Sequence, residues 1–138
     1  GTLLLDEISE VPAPIQAKLL RILQERAFER VGSSQSIGVD VRVIATSNRD
    51  LPRAAADGQF REDLFFRLNV LPVHLPPLRE RREDVPALAT HFIGEIARRE
   101  GRQAPTITPD VMELLSGYRW PGNVRELQNI CERAVVLA

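Results

Sequence analysis

An α/β layer built on a parallel sheet, followed by an all-helical unit, is the fold class that this sequence predicts. Three observations carry the prediction. Thr2-Leu3-Leu4-Leu5 is an apolar run without polar alternation, stopped by Asp6-Glu7, which reads as a central parallel strand buried on both faces. A stretch with helical spacing then separates this run from a second one, Val39, Val41, Val43 and Ile44. From Asp84 onward only helical spacing remains.

Taken in order, Pro12 and Pro14 introduce an amphipathic helix whose apolar positions are Ile15, Leu19, Ile22, Leu23 and Ala27. Val31 to Gly38 is rich in Gly and Ser and reads as a loop, and the second strand ends near Ser47-Asn48. A short helix around Ala54, another over Arg61 to Arg67 and a third strand over Val70 to Leu75 complete the layer before Pro76-Pro77. The boundary is expected at Pro77 to Arg82, dividing the chain into 1–77 and 78–138. In the second part Val85, Leu88, Ala89, Phe92, Ile93 and Ile96 form one stripe, closed by Gly101. Thr108-Pro109 opens a short helix through Val111, Leu114 and Leu115. Trp120-Pro121-Gly122-Asn123 then turns into a last helix carrying Val124, Leu127, Ile130, Cys131, Ala134 and Val135, with Asn123 and Glu126 spaced as a capping box.

Composition narrows the function. The 138 residues are 43% hydrophobic and 27% charged, which fits a folded globular domain and neither a disordered chain nor a membrane protein. No apolar run approaches the roughly 20 residues that span a bilayer, and no basic stretch precedes the first leucines, so no secretory leader is expected. The lone cysteine, Cys131, can form no internal disulfide and fits a reducing cytoplasm, the expected location. A net charge of -1 argues against a surface devoted to nucleic-acid backbone. Lys18 is the only lysine, and all other basic residues are arginine, the better residue for bidentate phosphate contacts.

The adjacent acids Asp6 and Glu7 fall at the carboxyl end of a strand, where ligands of α/β sheets bind. One carboxylate there can hold Mg²⁺ and the other can polarise a water; capping of the helix at Ile15 is the structural alternative. Asn48 ends the next strand in the same layer. Asp63 and Arg67 stand at i,i+4, the spacing of a helix-surface ion pair. Arg125 lies in the first turn of its helix, where the dipole disfavours a cation but where an anion would meet both guanidinium and free N–H groups.

Four segments, in order, carry a specific resemblance: Gly1-Thr2-Leu3-Leu4-Leu5-Asp6-Glu7, Phe60-Arg61-Glu62-Asp63-Leu64-Phe65-Phe66-Arg67-Leu68, Pro76-Pro77-Leu78-Arg79-Glu80-Arg81, and Trp120-Pro121-Gly122-Asn123-Val124-Arg125-Glu126-Leu127. Together they resemble the second half of the AAA+ ATPase domain of the NtrC-like, sigma-54-dependent enhancer-binding activators. The resemblance implies part of the AAA+ parallel-sheet subdomain followed by a helical lid. It implies ATP and Mg²⁺ as ligands, with Asp6 as the metal-linked Walker B acid and Glu7 activating the attacking water. Ser47 and Asn48 fall on sensor I, where the family more often has threonine then asparagine. Arg61 and Arg67 match the arginine fingers that reach ATP on the neighbouring subunit, and Arg125 matches sensor II. The implied partners are the sigma-54 RNA polymerase holoenzyme and further copies in a homo-oligomeric ring, with DNA bound by a separate domain and no membrane.

Two things follow from the same resemblance. No G-x-x-x-x-G-K-[ST] occurs in these residues and Lys18 lies inside a helix, so the chain by itself is expected to hydrolyse no ATP. A strand from the phosphate-loop region is expected between the strand at Val41 to Thr46 and the one at Val70 to Leu75, so the first two strands need not pair with the third. Two other functions compete. A helical DNA-binding module in Thr108 to Ala138 would need a basic second helix, whereas Glu126 and Glu132 offset Arg125 and Arg133 there. An AAA+ ATPase with a different partner would keep the chemistry.

Overall fold

The computed structural model describes residues 1–137, in a first unit, Gly1–Val73, and a second that begins at His74. In the first unit the opening leucine run forms β1 (Thr2–Leu5), which pairs in parallel with β4 (Arg42–Ala45), Leu3 opposite Val43 and Leu5 opposite Ala45. Parallel pairing needs a crossover, and α1 (Ala13–Glu25) supplies it. Its Pro12-Ala13-Pro14 start suits a first turn whose N–H groups have no helical partner. It ends at Arg26, which takes a left-handed conformation at φ 50°.

The expected helix stripe runs one residue too far. Ala27 leaves α1 and begins β2 (Ala27–Glu29), which pairs antiparallel with β3 (Ser36–Gly38). The segment read as a loop, 31–38, is therefore partly a hairpin arm, because residues flanking a Gly-Ser turn satisfy their backbone groups most cheaply by pairing across it. Asp50 caps α2 (Leu51–Ala56) by accepting from the Arg53 amide at 3.0 Å. α3 (Glu62–Leu68) follows. Ile8, Leu20, Phe60 and Leu64 form the buried core beneath these elements, with Leu5 and Ala45 packed at its edge.

Two expectations fail here for one reason. β1 is not buried on both faces: Leu3 and Leu4 are exposed, because among the described residues β4 is its sole strand neighbour and the core reaches only Leu5. The expected strand at Val70 to Leu75 does not form, and its Val70, Leu71, Val73 and Leu75 stand 76% to 81% exposed. A strand exists by hydrogen-bonding to a neighbour, and among the described residues none pairs with this segment.

The second unit is helical, as expected: α4 (Val85–Arg99), α5 (Pro109–Gly117) and α6 (Asn123–Leu137), preceded by single 3₁₀ turns at Leu78–Glu80 and Arg82–Asp84. Val85, Ala89, Ile93, Ile96 and Ala97 of α4 share one buried cluster with Leu127, Cys131 and Val135 of α6 and with Trp120. The Trp120 indole N–H donates to the Leu115 carbonyl at 2.8 Å, so the ring is buried without an orphan donor. Gly101 closes α4 at φ 66°, with the Arg102 amide reaching back to Ala97 O. Thr108 stands at the N-cap of α5, though its side chain makes no cap hydrogen bond.

The capping box expected at α6 is replaced by a different arrangement. Asn123 Oδ1 accepts from the Leu78 amide at 2.9 Å, while Glu126 accepts from the Gly122 amide at 2.8 Å. Asn123 itself adopts φ 52°, which turns its side chain away from the helix that it opens. Gly122 is needed there for space: a Cβ would lie 2.8 Å from Cβ of Glu126.

Leu127 is fully buried in this cluster, so Leu127→Ala is expected to cost the second unit about 2–5 kcal/mol. Denaturant unfolding followed by the fluorescence of Trp120, the single tryptophan, checks it; a loss below 1 kcal/mol would mean that the α4–α6 packing is wrong.

Candidate functional site

The parallel ladder does not stop at the ends of β1 and β4. The Thr46 amide donates to Leu5 O and the Thr46 carbonyl accepts from the Ile8 amide, both at 2.9 Å. The Thr46 side chain fills the interval: its hydroxyl donates to Asp6 Oδ1 in a short hydrogen bond and accepts from the Glu7 amide at 3.1 Å. One residue thus fastens four consecutive residues, Leu5 to Ile8, to the end of the neighbouring strand.

Glu7 is held in the left-handed region, φ 52° and ψ 47°. A non-glycine residue there costs about 1–3 kcal/mol and persists where its surroundings dictate it. Neither acid caps α1, whose N-cap is Pro12, so the structural alternative for Asp6-Glu7 fails. Both carboxylates are exposed and, among the described residues, neither enters an ion pair.

Ser47 and Asn48 follow Thr46 directly. The Ser47 hydroxyl is used locally, accepting from the Arg49 amide at 3.0 Å and donating to Arg49 O at 2.8 Å. Asn48 Oδ1 accepts from Ser9 Oγ at 3.3 Å, which leaves its amide N–H groups unengaged among the described residues. Arg49 pairs with Glu10 through both carboxylate oxygens, at 2.9 and 3.1 Å. The structure therefore brings Asp6, Glu7, Ser47 and Asn48 together on two adjacent segments.

Arg61 and Arg67 sit at the two ends of α3. The i,i+4 pair expected between Asp63 and Arg67 is absent. Asp63 instead binds Arg61 bidentately, at 3.0 and 2.7 Å, because Arg61 precedes the helix and its side chain can fold back on the first turn. The hydrogen bond from Arg61 holds the Asp63 carboxyl below the usual carboxylate range, and Asp63 raises the Arg61 guanidinium in return. The carboxylate stabilises this pair above its ordinary pKa and loses it only as pH falls through the lowered value, so near neutrality the pair is closed. Arg67 donates to Leu23 O in the last turn of α1 at 3.0 Å, where a helix C-terminus attracts a cation.

Gln16 was not anticipated. Among the described residues it is the one buried polar side chain, 2% exposed, and its Oε1 accepts from the Arg61 amide at 2.9 Å while Nε2 donates to Val11 O at 2.8 Å. Its position on the stripe Gln16, Leu20, Leu23 was the available signal. Thr46 was equally missed; only the register Leu5 to Ala45 places it beside Asp6. In the second unit Arg125 is exposed on α6, with no hydrogen bond or ion pair among the described residues. Two surface depressions of this unit lie along α5 at Asp110, Glu113, Leu114, Gly117 and Tyr118 and beside α4 at Glu95, Ile96 and Arg99.

Comparison with known proteins decides what this arrangement belongs to. Residues 1–74 match the family described as the Sigma-54 interaction domain, and residues 79–138 match the AAA+ ATPase lid domain. The chain belongs to the sigma-54 interaction domain family. It is 58% identical over 137 residues to the regulatory protein AtoC of Escherichia coli, covering 99% of this chain and 30% of AtoC. It is 52% identical over 138 residues to the nitrogen fixation protein AnfA of Azotobacter vinelandii, of which it covers 26%. Among solved structures, NtrX from Brucella abortus superposes with a TM-score of 0.94 at 45% identity, over 99% of this chain and 31% of NtrX. The same NtrX has been solved with ADP and with ATP, each at a TM-score of 0.93. The chain thus spans less than a third of the length of these relatives. No helix among the described residues is long and apolar enough to cross a membrane.

The strain at Glu7 gives a test of what that residue is kept for. Glu7→Gly, which adopts φ 52° freely, is expected to leave the first unit as stable or to stabilise it by about 1 kcal/mol, whereas Glu7→Gln keeps the strain and leaves stability unchanged. Denaturant midpoints compare the two. A stability loss in the glycine variant alone would mean that Glu7 serves the fold.

Proposed function

We propose that this chain is the second half of the ATPase motor of a sigma-54-dependent transcriptional activator. Residues 1–77 would close the nucleotide-binding core and residues 78–138 would form its lid. The observation that carries the reading is the pair Asp6 and Glu7, without ion-pair partners and fastened by Thr46 to the segment bearing Ser47 and Asn48.

Asp6 suits a Mg²⁺ ion delivered with ATP. Among the described residues no three acids or histidines cluster as a metal cage, and Mg²⁺ commonly takes one or two carboxylates, keeps several waters and relies on the phosphates for its remaining ligands. The bound metal neutralises charge on the phosphates. Glu7, exposed and held by its own amide, accepts the proton of the attacking water. Asn48, its Oδ1 taken by Ser9, keeps its N–H donors for an acceptor such as the γ-phosphate, and Ser47 holds the turn beside it through Arg49. Arg61 and Arg67 serve as fingers to ATP on an adjacent copy in a homo-oligomeric ring. Arg125, without a partner in its own unit, supplies the cation of sensor II.

The work done with this hydrolysis is remodelling of the closed complex of the sigma-54 RNA polymerase holoenzyme, with DNA held by a separate domain. The match of residues 1–74 to the Sigma-54 interaction domain supports the class of partner, and NtrX solved with ATP supports the ligand. The composition of α6, with Glu126 and Glu132 beside Arg125 and Arg133, disfavours the DNA-binding alternative for this chain.

The 138 residues alone are expected to release no phosphate from Mg²⁺-ATP, since no phosphate loop is among them. A phosphate-release assay with detectable turnover removes that premise. In a full-length protein that contains this chain, Arg61→Ala is expected to leave ATP binding largely intact and to lower turnover by roughly 10³-fold or more. Mixed with Asp6→Ala subunits, whose own pockets are dead but whose fingers are intact, it should regain turnover above the sum of the two. Mixed rings that give only the sum rule out action across the subunit interface.

A further inference from the structure

Arg61 is placed by a side chain that belongs to another element. We propose that Gln16 is the positioning residue of the Arg61 finger, tying its backbone root to the segment that follows the catalytic acids; this rests on the finger role of Arg61.

The geometry is a three-point clasp. Gln16 is 2% exposed on α1. Its Oε1 accepts from the Arg61 amide at 2.9 Å, and its Nε2 donates to Val11 O at 2.8 Å and, at a long 3.5 Å, to Gln59 O. The partners fix the orientation of the amide, because an N–H needs the oxygen and two carbonyls need the nitrogen. A buried amide is costly unless so engaged, and an apolar residue would fill this stripe position at no such cost. The clasp also solves a local problem. Arg61 is the N-cap of α3, with φ -69° and ψ 127°, so its own amide precedes the helix and has no helical acceptor. Gln16 provides one, and in doing so fixes the point from which the Arg61 side chain leaves the backbone.

The other end of the clasp is Val11, which directly follows the turn Ile8–Glu10 behind Asp6 and Glu7. In a ring these acids serve the subunit's own pocket and Arg61 serves the neighbour's. Gln16 therefore sets the finger in register with the acids of its own subunit. Its loss leaves the guanidinium and the Asp63 carboxylate present and displaces their root, which affects turnover and not the affinity for ATP.

The test uses the full-length protein carrying this chain. Gln16→Met keeps the volume and removes both hydrogen-bonding ends. It is expected to lower kcat by roughly 10²-fold, the cost of an ångström-scale misplacement, with KM for ATP and ring assembly unchanged. Hydrogen exchange should quicken at residues 58–61 and stay unchanged in α1 and α3. Gln16→Glu keeps an oxygen for the Arg61 amide, and its turnover should lie between Gln16→Met and the parent. The deciding experiment mixes Gln16→Met with Asp6→Ala, beside the mixture of Arg61→Ala with Asp6→Ala. Turnover above the sum in both supports the proposal, since the lesion in Gln16→Met then lies in the finger that it lends. Recovery with Arg61→Ala and mere addition with Gln16→Met overturns the role of Gln16 alone. Addition in both removes the finger reading and the proposal with it. If Gln16→Met fails to assemble, Gln16→Glu takes its place in the same mixture and is read in the same way.

Discussion

Everything chemical in the first unit hangs on the parallel pairing of β1 with β4, and above all on the way it ends at Thr46. A two-stranded parallel ladder is weak by itself, with its hydrogen bonds slanted and both outer edges open. Thr46 extends the ladder by four contacts to Leu5, Asp6, Glu7 and Ile8. Without them the chain after Leu5 would leave the sheet freely, and Glu7 would relax from its left-handed conformation. The consequence is directional. Asp6 and Glu7 leave the end of one strand just as Ser47 and Asn48 leave the end of the other, so two acids and an amide share one edge.

Charge is arranged on a different principle at α3. Arg61 and Arg67 each have a partner, yet each partner leaves the cation accessible: Asp63 is itself about half exposed, and Leu23 offers only a carbonyl. Exposed ion pairs contribute little to stability, so under the finger role proposed for Arg61 the bidentate Arg61–Asp63 contact would be a resting position for the guanidinium. A phosphate, with more negative charge and three oxygens, could compete with one carboxylate for it. The backbone at Arg61, by contrast, is fastened from a buried site by Gln16. Root and tip of the same side chain are thus treated oppositely, the first fixed and the second free.

Periodicity made the longer helices legible: α1, apart from Ala27, and the three helices of the second unit lie where the apolar spacing put them, α2 and α3 lie close to the short helices expected there, and β1 and β4 were read from their leucines and valines. Motif order made the acids, Ser47-Asn48 and the three arginines legible as candidates. Most of what stayed hidden depends on contacts across long sequence intervals. Thr46 is unremarkable until the register sets it beside Asp6, some forty residues away. Gln16 is only a polar residue on an apolar stripe until the Arg61 amide supplies its partner. Asn123 and Asp63 were given local partners by their spacing, and each chose another, Leu78 and Arg61, because the backbone at Asn123 is left-handed and Arg61 lies just ahead of its helix.

The exposed apolar groups close the argument. Leu3, Leu4 and Ile44 on the sheet and Val70, Leu71, Val73 and Leu75 after α3 are all in water here, although their sequence reads as strand interior. A polar surface would have been written differently at these seven positions, whose apolar side chains are suited to burial. The second unit shows no such deficit in its main cluster, where five residues of α4 and three of α6 are buried with Leu78 and Trp120. The first unit therefore has a core complete beneath α1 and α3 and a sheet still open at its edges. Within residues 1–74, the part matched as the Sigma-54 interaction domain, burial is thus concentrated where α1 and α3 meet the carboxyl end of the β1–β4 ladder, the same end at which Asp6, Glu7, Ser47 and Asn48 leave it.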